Sequence, residues 1–359
     1  MSVAALSRLC ATWAMVAGLV ALPSVPLVAK DGIDQVEIPR EAAQTVAEIR
    51  PVRELRQPRA VTALALNRDG TKILTGGLDG AIRLWNPGSG RLEGIARLHD
   101  ADVGDVAFLD GSEEALSVGV DGRMFRFDPR TGKVAAERQL GTSCLALTAI
   151  SETLAAVACS DLSLQIVEIA SLKTIKTLKL KGDLQYNYPS HLSISADGTQ
   201  LLVGDPFSTV DIATWQVSPA RRLYSYNAVL SPDGKLLLSG QIGRNAQIFA
   251  LEPFAQVAEL RAPMTDTFMS SQGHVEASQD TPIYAVGWSA NSRLAATGGL
   301  DRVVRLWDLG EIGNPVELAR LSGHQDVVTH LLFASGNKLI SSDLSGSILI
   351  WSLEAVTDH

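Results

Sequence analysis

The residues of this chain that could carry out chemistry are few and widely spaced. The sequence contains no glycine-rich phosphate loop and no Gly-x-Ser-x-Gly nucleophile elbow. Its histidines form neither a His-Glu-x-x-His motif nor another close pair, which is the spacing that a zinc site on one element needs. The six histidines are His99, His191, His274, His324, His330 and His359. We therefore predict no catalytic residue, no metal site and no cofactor.

Two of the three cysteines, Cys144 and Cys159, flank a predicted hairpin turn near Ser151 and Glu152. The strands of that hairpin would place the cysteines opposite each other, with Cβ atoms about 4.5–5.5 Å apart. A disulfide needs Cβ atoms about 3.5–4.5 Å apart, so a close pair could form one in an oxidising compartment. The alternative is two buried thiols that pack as small apolar side chains. Cys144 and Cys159 are therefore a candidate disulfide.

The elements that would position these residues recur along the chain. Residues 75–86, 297–308 and 341–352 align, and each segment holds a strand, a polar turn and an alternating strand that ends in tryptophan. An earlier alternating strand and a tight turn precede each copy, as in residues 61–66 followed by Asp69-Gly70. Such a turn favours a hairpin because glycine accepts a positive φ and aspartate bonds its own backbone.

Weaker copies of the same unit fill the interval between the first and second strong copies. The seven copies end at positions 85, 127, 167, 213, 249, 307 and 351, so the intervals run from 36 to 58 residues. A period of about 40–45 residues with four strands per unit is typical of propeller blades. One blade cannot bury both faces of its sheet alone, so neighbouring blades must stack against it. We predict an all-β, seven-bladed β-propeller of four-stranded antiparallel blades.

These repeats resemble the WD-repeat β-propeller family over residues 45–353. Gly323-His324 matches the dipeptide that opens a repeat of that family, and Trp307-Asp308 matches the dipeptide that closes one. The resemblance is strong in blades one, six and seven and weak in blades three to five, which leaves the regularity of those middle blades open.

The resemblance implies a buried hydrogen-bonded set of a His, a Ser or Thr, an Asp and the Trp in each complete blade. Blade seven offers His324, Ser341 and Trp351, but Ser345 stands where the Asp is expected. His99, which follows Leu98 as His324 follows Gly323, is expected to have a similar role in blade two. The members expected in blade six are Thr297, Asp301 and Trp307.

Ring closure should join the two ends of the repeat region. The last copy ends at Trp351, and the residues after it are too few for a good strand. Residues 45–56 precede the first copy and carry Val46, Ile49, Val52 and Leu55. We predict that this stretch supplies the outer strand of the last blade, which removes the exposed edges at the ends of the chain.

The bulk composition limits the possible functions. Hydrophobic residues make up 46% and charged residues 19% of the chain, which is typical of a packed globular protein rather than a disordered one. The formal net charge of −8 argues against nucleic-acid binding, because such binding needs a basic surface. We expect a monomer that binds a protein partner and no nucleic acid.

The first 29 residues differ from the rest. Arg8 precedes an apolar run over residues 9–22, followed by two prolines and Ala29, an order that predicts a secretory signal. An uncleaved anchor over residues 9–29 and a core segment remain alternatives, since about 20 apolar residues can span a bilayer. The predicted organisation is a signal or anchor at 1–29, a linker at 30–44 and the propeller at 45–359. With this signal, the chain is most similar to a secreted bacterial member of the family, in the periplasm or secreted.

Candidate partner-binding residues lie where loops depart from the period. The resemblance to WD-repeat proteins implies that loops between blades share one rim with the turns inside each second hairpin, and loops carry function more often than the scaffold. An insertion over residues 263–281, the segment 186–189 and the turn at 206–207 fall on that rim. The alternative is that these side chains fold back onto their own blades. The candidate rim residues are Tyr186, Tyr188, Phe207, Met264, Phe268 and Met269.

Two classes of function remain open from the sequence. The first is a non-catalytic interaction scaffold or binding module in the periplasm or cell envelope. The second is a propeller enzyme or cofactor-binding accessory protein that holds a ligand in its central channel, which His191 and His330 could approach. An intracellular scaffold whose apolar start is not a signal is a third reading. Because fold alone does not give function, the first rests partly on family analogy.

Overall fold

The structure is a computed structural model, and it describes residues 46–181, 191–195, 197–204, 207–221, 223, 225–241, 245–261, 268–270, 273–275 and 282–357. Two short strands come first, β1 (Ala47–Ile49) and β2 (Arg53–Arg56). Apart from one separate hairpin, the strands that follow form seven successive sheets, which are the seven predicted blades. A short helix, α1 (Glu354–Thr357), follows the last strand.

Blades one to three each contain four antiparallel strands that pair in chain order. Blade one consists of β3 (Val61–Leu66), β4 (Ile73–Gly77), β5 (Ala81–Asn86) and β6 (Arg91–Arg97). Blade two consists of β7 (Val103–Phe108), β8 (Ala115–Gly119), β9 (Arg123–Phe127) and β10 (Val134–Gln139). Blade three consists of β11 (Cys144–Ala149), β12 (Leu154–Cys159), β13 (Ser163–Glu168) and β14 (Thr174–Lys179).

Blades four and five follow the same order, and a separate hairpin comes after them. Blade four contains β15 (Leu192–Ile194), β16 (Gln200–Val203) and β17 (Ser208–Asp211). Blade five contains β18 (Ser225–Leu230), β19 (Leu236–Gln241), β20 (Asn245–Leu251) and β21 (Phe254–Arg261). The hairpin pairs β22 (Phe268–Ser270) with β23 (Gly273–Val275).

Blades six and seven complete the set. Blade six contains β24 (Ile283–Trp288), β25 (Leu294–Gly299), β26 (Val303–Asp308) and β27 (Val316–Ser322). Blade seven contains β28 (Val328–Ala334), β29 (Lys338–Asp343) and β30 (Ser347–Ser352). The first strand of each blade contacts the first strand of the next, and β28 contacts β3, so the seven first strands surround the central channel of a closed ring.

The N-terminal strands close this ring in two steps. β2 pairs antiparallel with β30 as the outer strand of blade seven, with Leu55 opposite Ile348, which confirms the predicted closure. β1 pairs in parallel with β27 and becomes a fifth strand of blade six, with Glu48 opposite Arg320. The sequence did not predict this fifth strand, because three residues are too short to show an alternating pattern.

The middle blades are more regular than their sequences suggest, with one exception. Blades three and five have all four strands. In blade four, two isolated bridges, Phe207 with Arg221 and Val210 with Val217, take the place of a continuous fourth strand. Blade four is therefore the least regular sheet in the described part of the ring.

The turn between the second and third strands of blade one shows why Asp-Gly recurs. Gly80 has a φ of +68°, and a Cβ atom there would lie 2.2 Å from the carbonyl oxygen of His99. Only glycine fits this close approach between the turn and the chain that enters blade two. The backbone N–H of Ala81 donates to Asp79 Oδ1 at 3.2 Å, which holds the turn from the other side.

The hydrophobic core lies between blades rather than within one layer. All five residues of β4 are buried, which means that neighbours cover both faces of the sheet. Ile73 and Trp85 of blade one pack in one cluster with Ile348 and Ile350 of blade seven. Burial of one such side chain contributes about 1.5–3 kcal/mol. Each blade therefore depends on its neighbours, as expected for a repeat architecture.

Candidate functional site

One rim of the ring is formed by two kinds of loop, and we call it the connection rim: the connections between blades and the turns between second and third strands. A backbone hydrogen bond links the two kinds in five blades. The donor and acceptor pairs are Leu78 to Ala60, Val120 to Asp102, Ser160 to Ser143, Leu300 to Pro282 and Leu344 to Val327, at 2.8–3.4 Å. In these five blades the connection rim therefore has a fixed backbone frame.

Blade seven contains a complete buried polar set beneath this rim. Trp351 Nε1 donates to Ser341 Oγ at 2.8 Å, and Ser341 Oγ lies 2.6 Å from His324 Nε2. On the other side of the imidazole of His324, Nδ1 donates to Asp343 Oδ2 at 2.8 Å. Since the indole N–H can only donate, Ser341 accepts from Trp351 and directs its own hydrogen to His324. The set spans four side chains with every polar atom engaged.

The acidic member of this set is Asp343, and the expectation that blade seven lacks one is wrong. Asp343 lies at the end of β29, two residues before Ser345. Its Oδ2 accepts from His324, while its Oδ1 accepts from Ser345 Oγ at 2.6 Å and from the backbone N–H of Ser345 at 2.9 Å. Asp343 therefore takes the place of the missing turn aspartate, and Ser345 supports it.

Blade two carries the same arrangement without the tryptophan. His99 Nδ1 donates to Asp121 Oδ1 at 3.0 Å, and His99 Nε2 lies 2.9 Å from Ser117 Oγ. Burial lowers the pKa of His99, although the hydrogen bond to Asp121 opposes that effect. Burial would raise the pKa of Asp121, but hydrogen bonds from His99 and the Arg123 backbone outweigh it and the net shift is downward. This pair therefore favours a neutral imidazole donating to a carboxylate, which confirms the role expected for His99.

Blades one and six keep the tryptophan end of the set. Trp85 Nε1 donates to Thr75 Oγ1 at 3.0 Å, and Trp307 Nε1 donates to Thr297 Oγ1 at 3.0 Å. In blade one Gln57 replaces the histidine, since Thr75 Oγ1 donates to its Oε1 at 2.7 Å. The carboxamide nitrogen of Gln57 also reaches the carbonyl oxygens of Ala60 and Gly76, at 3.1 and 3.3 Å.

The turn aspartates of blades one and six hold a buried arginine instead of a histidine. Arg83 Nη2 pairs with Asp79 Oδ2 at 2.5 Å, and Arg305 Nη1 pairs with Asp301 Oδ2 at 2.5 Å. Both arginine side chains are only 4% exposed, so the paired carboxylate offsets the cost of burying the charge, and in blade one the pair is bidentate. Asp301, which was expected in the polar set of blade six with Thr297 and Trp307, pairs with Arg305 of its own blade.

These polar sets lie inside the sheets of the blades. The hydroxyl groups of Thr75, Ser117, Thr297 and Ser341 each engage a tryptophan N–H or a histidine within their own sheet. Within the described residues, no three His, Cys, Asp or Glu side chains come together in a group that could hold a metal ion. The described residues therefore offer structural rather than chemical roles for these side chains.

His191 and His330 occupy matching positions next to the central channel, as expected from the sequence. His330 is the residue at which the β28–β29 register shifts, and His191 directly precedes β15. His330 Nδ1 lies 2.9 Å from Thr329 Oγ1 and 3.0 Å from Ser342 Oγ. Burial lowers the pKa of both histidines to about 4, and the nearby His330 contributes to the shift of His191. Both imidazoles are neutral near pH 7.

Asp105 occupies the matching position in blade two. The β7–β8 register shifts at this residue, and its carboxylate accepts the backbone N–H of Val106 at 2.8 Å. Its second oxygen accepts the backbone N–H of Leu147, in blade three, at 2.8 Å. Burial raises the pKa of Asp105 to about 7 in spite of these two hydrogen bonds. The channel-side position thus serves to tie one blade to the next.

Cys144 and Cys159 lie opposite each other at the rim end of β11 and β12, as the hairpin pattern predicts. Their Cα atoms are 3.9 Å apart, and the structure joins the two sulfur atoms in a disulfide. At positions where other blades carry a Ser or Thr and a Trp or Phe, blade three has Val157 and Val167, both fully buried. The oxidation state of the pair in the protein stays a prediction.

The structure brings few of the six candidate rim residues together. Phe268 and Met269 lie on β22, opposite Val275 and His274 in the inserted hairpin. Tyr186, Tyr188 and Met264 lie outside the described residues. The partner-binding role of these five residues stays a prediction.

Phe207 requires a correction, because it does not project from the rim. Only 4% of it is exposed, and its ring stacks on Phe254 at a centroid distance of 5.8 Å. Phe254 in turn stacks on Phe249 of the same blade at 5.2 Å. Phe207 lies at the start of the third strand of blade four, where a side chain turned toward blade five gains an apolar neighbour. We therefore remove it from the candidate surface.

Three residues with defined roles were missed by the sequence reasoning. Gln57 takes the place of the histidine in the polar set of blade one. The only sequence signal for this role is that a polar residue precedes a blade that has no histidine at its start. Asp343 stands two positions before the expected turn. Asp105 is a lone acidic residue in an apolar first strand, between Val103 and Val106. An acidic residue in such a strand indicates a buried carboxylate with specific hydrogen-bond partners.

Comparison with known proteins identifies the same repeats. The family model described as WD domain, G-beta repeat matches residues 49–86, 267–308 and 315–352. These segments correspond to blades one, six and seven, the blades in which the tryptophan N–H donates to a Thr or Ser hydroxyl. The middle blades lack that tryptophan pair in the described residues.

Several relatives match over most of this chain. Actin-interacting protein 1 of Drosophila melanogaster is 24% identical over 310 residues, which are 82% of this chain and 46% of the relative. The 66 kDa stress protein of Physarum polycephalum is 23% identical over 314 residues, 85% of this chain and 48% of the relative. Actin-interacting protein 1-2 of Arabidopsis thaliana is 22% identical over 305 residues, 81% and 46% respectively. The chain spans about half the length of the curated relatives it matches. In its matched repeats, its tryptophan-centred polar sets and its seven-bladed ring, the chain is similar to WD-repeat β-propellers.

Proposed function

We propose that the protein is a non-catalytic scaffold that binds a protein partner through the connection rim. The observation that carries the proposal is the hairpin β22–β23, which interrupts the repeat between the end of blade five and the start of blade six. This insertion adds a pair of strands that belongs to no blade. Phe268 and Met269 on β22 are of the residue types enriched at protein interfaces.

The polar sets support a binding role rather than catalysis. His99 and His324 are hydrogen-bonded within their blades, and His191 and His330 are neutral beside the channel. The relatives named for interaction with actin add support for a protein partner. Actin is the alternative partner that those names suggest, and co-sedimentation of the purified protein with actin filaments is one direct test of it.

The test of the scaffold compares partner capture by two double variants of the tagged full-length protein. The first is Phe268→Ala with Met269→Ala, in the inserted hairpin. The matched control is Leu92→Ala with Ile95→Ala, two apolar side chains 42% exposed on the outer strand of blade one. We expect the hairpin variant to recover at least about tenfold less of a defined partner, as for interface hot spots, and the control to recover as much as wild type. Equal recovery by both variants would remove the hairpin from the interface, and no saturable partner with wild type would refute the scaffold.

We also propose that the protein is exported to the periplasm or cell envelope. The supporting features are Arg8, the apolar run at 9–22 and Ala29 in the sequence, together with the paired cysteines, which suit an oxidising compartment. In the described part of the chain, no helix has the length and apolar character required to span a bilayer. Cell fractionation with N-terminal sequencing tests export: a soluble periplasmic protein that begins at Lys30 supports a cleaved signal. Membrane-bound protein with residues 9–29 intact indicates an anchor, and cytosolic protein with Met1 rules export out.

A further inference from the structure

The outer strand of blade three is an open sheet edge. β14 pairs with β13 and, within the described residues, with no other strand. In such an edge strand, every second residue directs its backbone N–H and C=O away from the sheet. These groups are available to an added strand, the mode by which several domains bind extended peptides.

This edge carries an unusual concentration of positive charge. Residues 173–181 contain Lys173, Lys176, Lys179 and Lys181 and no acidic residue, in a chain with a net charge of −8. All four lysines are exposed. Lys179 lies 3.3 Å from Asp161, but both side chains are well exposed, so that pair is screened by solvent.

The other outer strands of the described ring mix the two signs of charge. β2, β6, β10, β21 and β27 contain Glu54, Glu93, Glu137, Glu259 and Glu317 respectively. Among the described outer strands, β14 alone lacks an acidic residue. The edge of blade three therefore differs from its equivalents in the kind of ligand that it attracts.

Edge lysines also have a protective role, because they discourage pairing between sheet edges. Ile175 argues that protection is not the whole explanation here. It occupies the bulge of β14, where the register shifts between Ile166 and Val167, and it is 53% exposed between the lysines. A protective edge gains nothing from an exposed isoleucine, whereas a binding edge gains an apolar contact.

Blade six shows that this fold accepts a fifth strand with a glutamate at the equivalent edge. β1 adds in parallel to β27, and its Glu48 lies opposite Arg320 and accepts a hydrogen bond from Ser322 Oγ at 3.2 Å. Ala47 and Ile49 of β1 pack against the core cluster of blades six and seven. By register, Leu178 pairs with Leu164 in blade three as Leu321 pairs with Val304 in blade six.

We propose that the outer edge of blade three, residues 173–181, binds an extended acidic segment of a protein partner as a fifth strand. The carboxylates of that segment pair with the lysines, its backbone bonds the open edge of β14, and an apolar side chain covers Ile175. The inference deepens the proposed scaffold function, since it adds a second binding surface with its own class of ligand.

The experiment measures binding of a fluorophore-labelled nonapeptide of alternating glutamate and valine to the purified full-length protein by anisotropy. The edge variant is Lys173→Glu with Lys176→Glu, two exposed lysines that form no ion pair with another described residue. The matched control is Arg91→Glu with Arg97→Glu, two exposed arginines on the outer strand of blade one. We expect the edge variant to raise Kd at least about tenfold. The control variant, which alters the net charge by the same amount, should change Kd less than about twofold.

Two further measurements separate strand addition from charge attraction alone. A peptide of the same charge with every second amide N-methylated should bind at least about tenfold more weakly, because it cannot complete the backbone ladder. Amide hydrogens of residues 174–179 should exchange more slowly when the unmodified peptide is bound. Equal binding of the methylated peptide, or an equal effect of the control variant, overturns the proposal.

The outcome also separates this proposal from the scaffold function and from lipid binding. Vesicles of phosphatidylcholine with phosphatidylglycerol that bind wild type and release the edge variant, while the peptide fails to bind, would assign the edge to membranes and overturn the proposal. Failure of the peptide with continued capture of a partner through Phe268 and Met269 overturns the blade-three site and leaves the scaffold standing.

Discussion

The Asp105 carboxylate of blade two accepts the backbone N–H of Leu147 in blade three, with 2.8 Å between nitrogen and oxygen. The bond joins the first strands of two adjacent blades beside the central channel, where no continuous sheet connects them. Asp105 also accepts the N–H of Val106 in its own strand. The Asp105 side chain therefore accepts hydrogen bonds from two backbone N–H groups and couples two blades. Its carboxyl group is buried, which carries a desolvation cost.

That cost predicts a pH dependence of stability. Burial raises the pKa of Asp105 from its ordinary 3.8 to about 7. The folded state binds the proton of the Asp105 carboxyl group more tightly than the unfolded state does. The contribution of this proton to the free energy of unfolding is therefore fully present below about pH 3.8 and is lost as pH rises through about 7. We expect the free energy of unfolding of wild type, measured relative to Asp105→Asn in urea, to fall between pH 5 and pH 8, values chosen to bracket about 7.

A second substitution in blade two provides the control for Asp105. Asp110 is exposed and has one weak contact, 4.0 Å from Arg68. Asp110→Asn should leave the pH dependence of wild type unchanged. If Asp105→Asn keeps the same slope between these pH values as wild type, the carboxyl group of Asp105 does not titrate in this range.

The polar set of blade seven predicts an unequal effect of two neighbouring substitutions. Asp343 is fully buried and accepts from His324 and Ser345, so Asp343→Ala leaves buried donors unpaired and should cost about 3 kcal/mol. Ser345→Ala removes one supporting hydroxyl and should cost about 1 kcal/mol. Chemical unfolding of both variants measures the difference. A larger cost for Ser345→Ala would show that the turn position, and not Asp343, holds the histidine.

The ring itself was predictable because its signals are local and repeated. Asp-Gly turns, alternating strands and a closing Trp recur at a nearly constant interval, and each has a direct structural cause. The closing strand β2 followed from the short stretch after Trp351. The fifth strand β1 was not predictable, since Ala47–Ile49 acquires its pattern only through contact with β27.

The site was harder to predict because it depends on which way side chains turn. Phe207 was placed on the rim by its position after a turn, yet packing against Phe254 turns it inward. Asp343 and Gln57 replace expected residues from other positions, and only the fold brings them to His324 and Thr75. The lysines of β14 were visible in the sequence, but their meaning depends on β14 being an edge strand.

Blade three predicts sensitivity to reductant. It has Val157 and Val167 where other blades have the polar set, and Cys144 and Cys159 lie opposite each other in that blade. A bond between cysteines separated by 15 residues in sequence should stabilise the protein by about 3 kcal/mol. We expect reductant to lower the Tm of wild type and to leave the Tm of Cys144→Ala with Cys159→Ala unchanged.

Thiol titration of the unfolded, unreduced protein provides the direct check on blade three. Protein with the cysteines bonded shows no reactive thiol from Cys144 or Cys159 until reductant is added. Two reactive thiols in protein isolated from its own compartment would establish the alternative, in which both cysteines pack as buried thiols.

The two N-terminal strands predict different consequences of stepwise truncation. Removal of residues 1–50 deletes β1 but leaves β2, so blade seven stays closed and the loss is the packing of Ala47 and Ile49, about 1–2 kcal/mol. Removal of residues 1–57 also deletes β2 with Leu55, which is 3% exposed, and Gln57, whose amide bonds Thr75. The edge of β30 is then open, and we expect loss of cooperative unfolding and aggregation on size-exclusion chromatography. If both truncated proteins unfold with the same midpoint and remain monodisperse, β2 does not close the ring, and the stability of blade seven must come from its contacts with blades six and one.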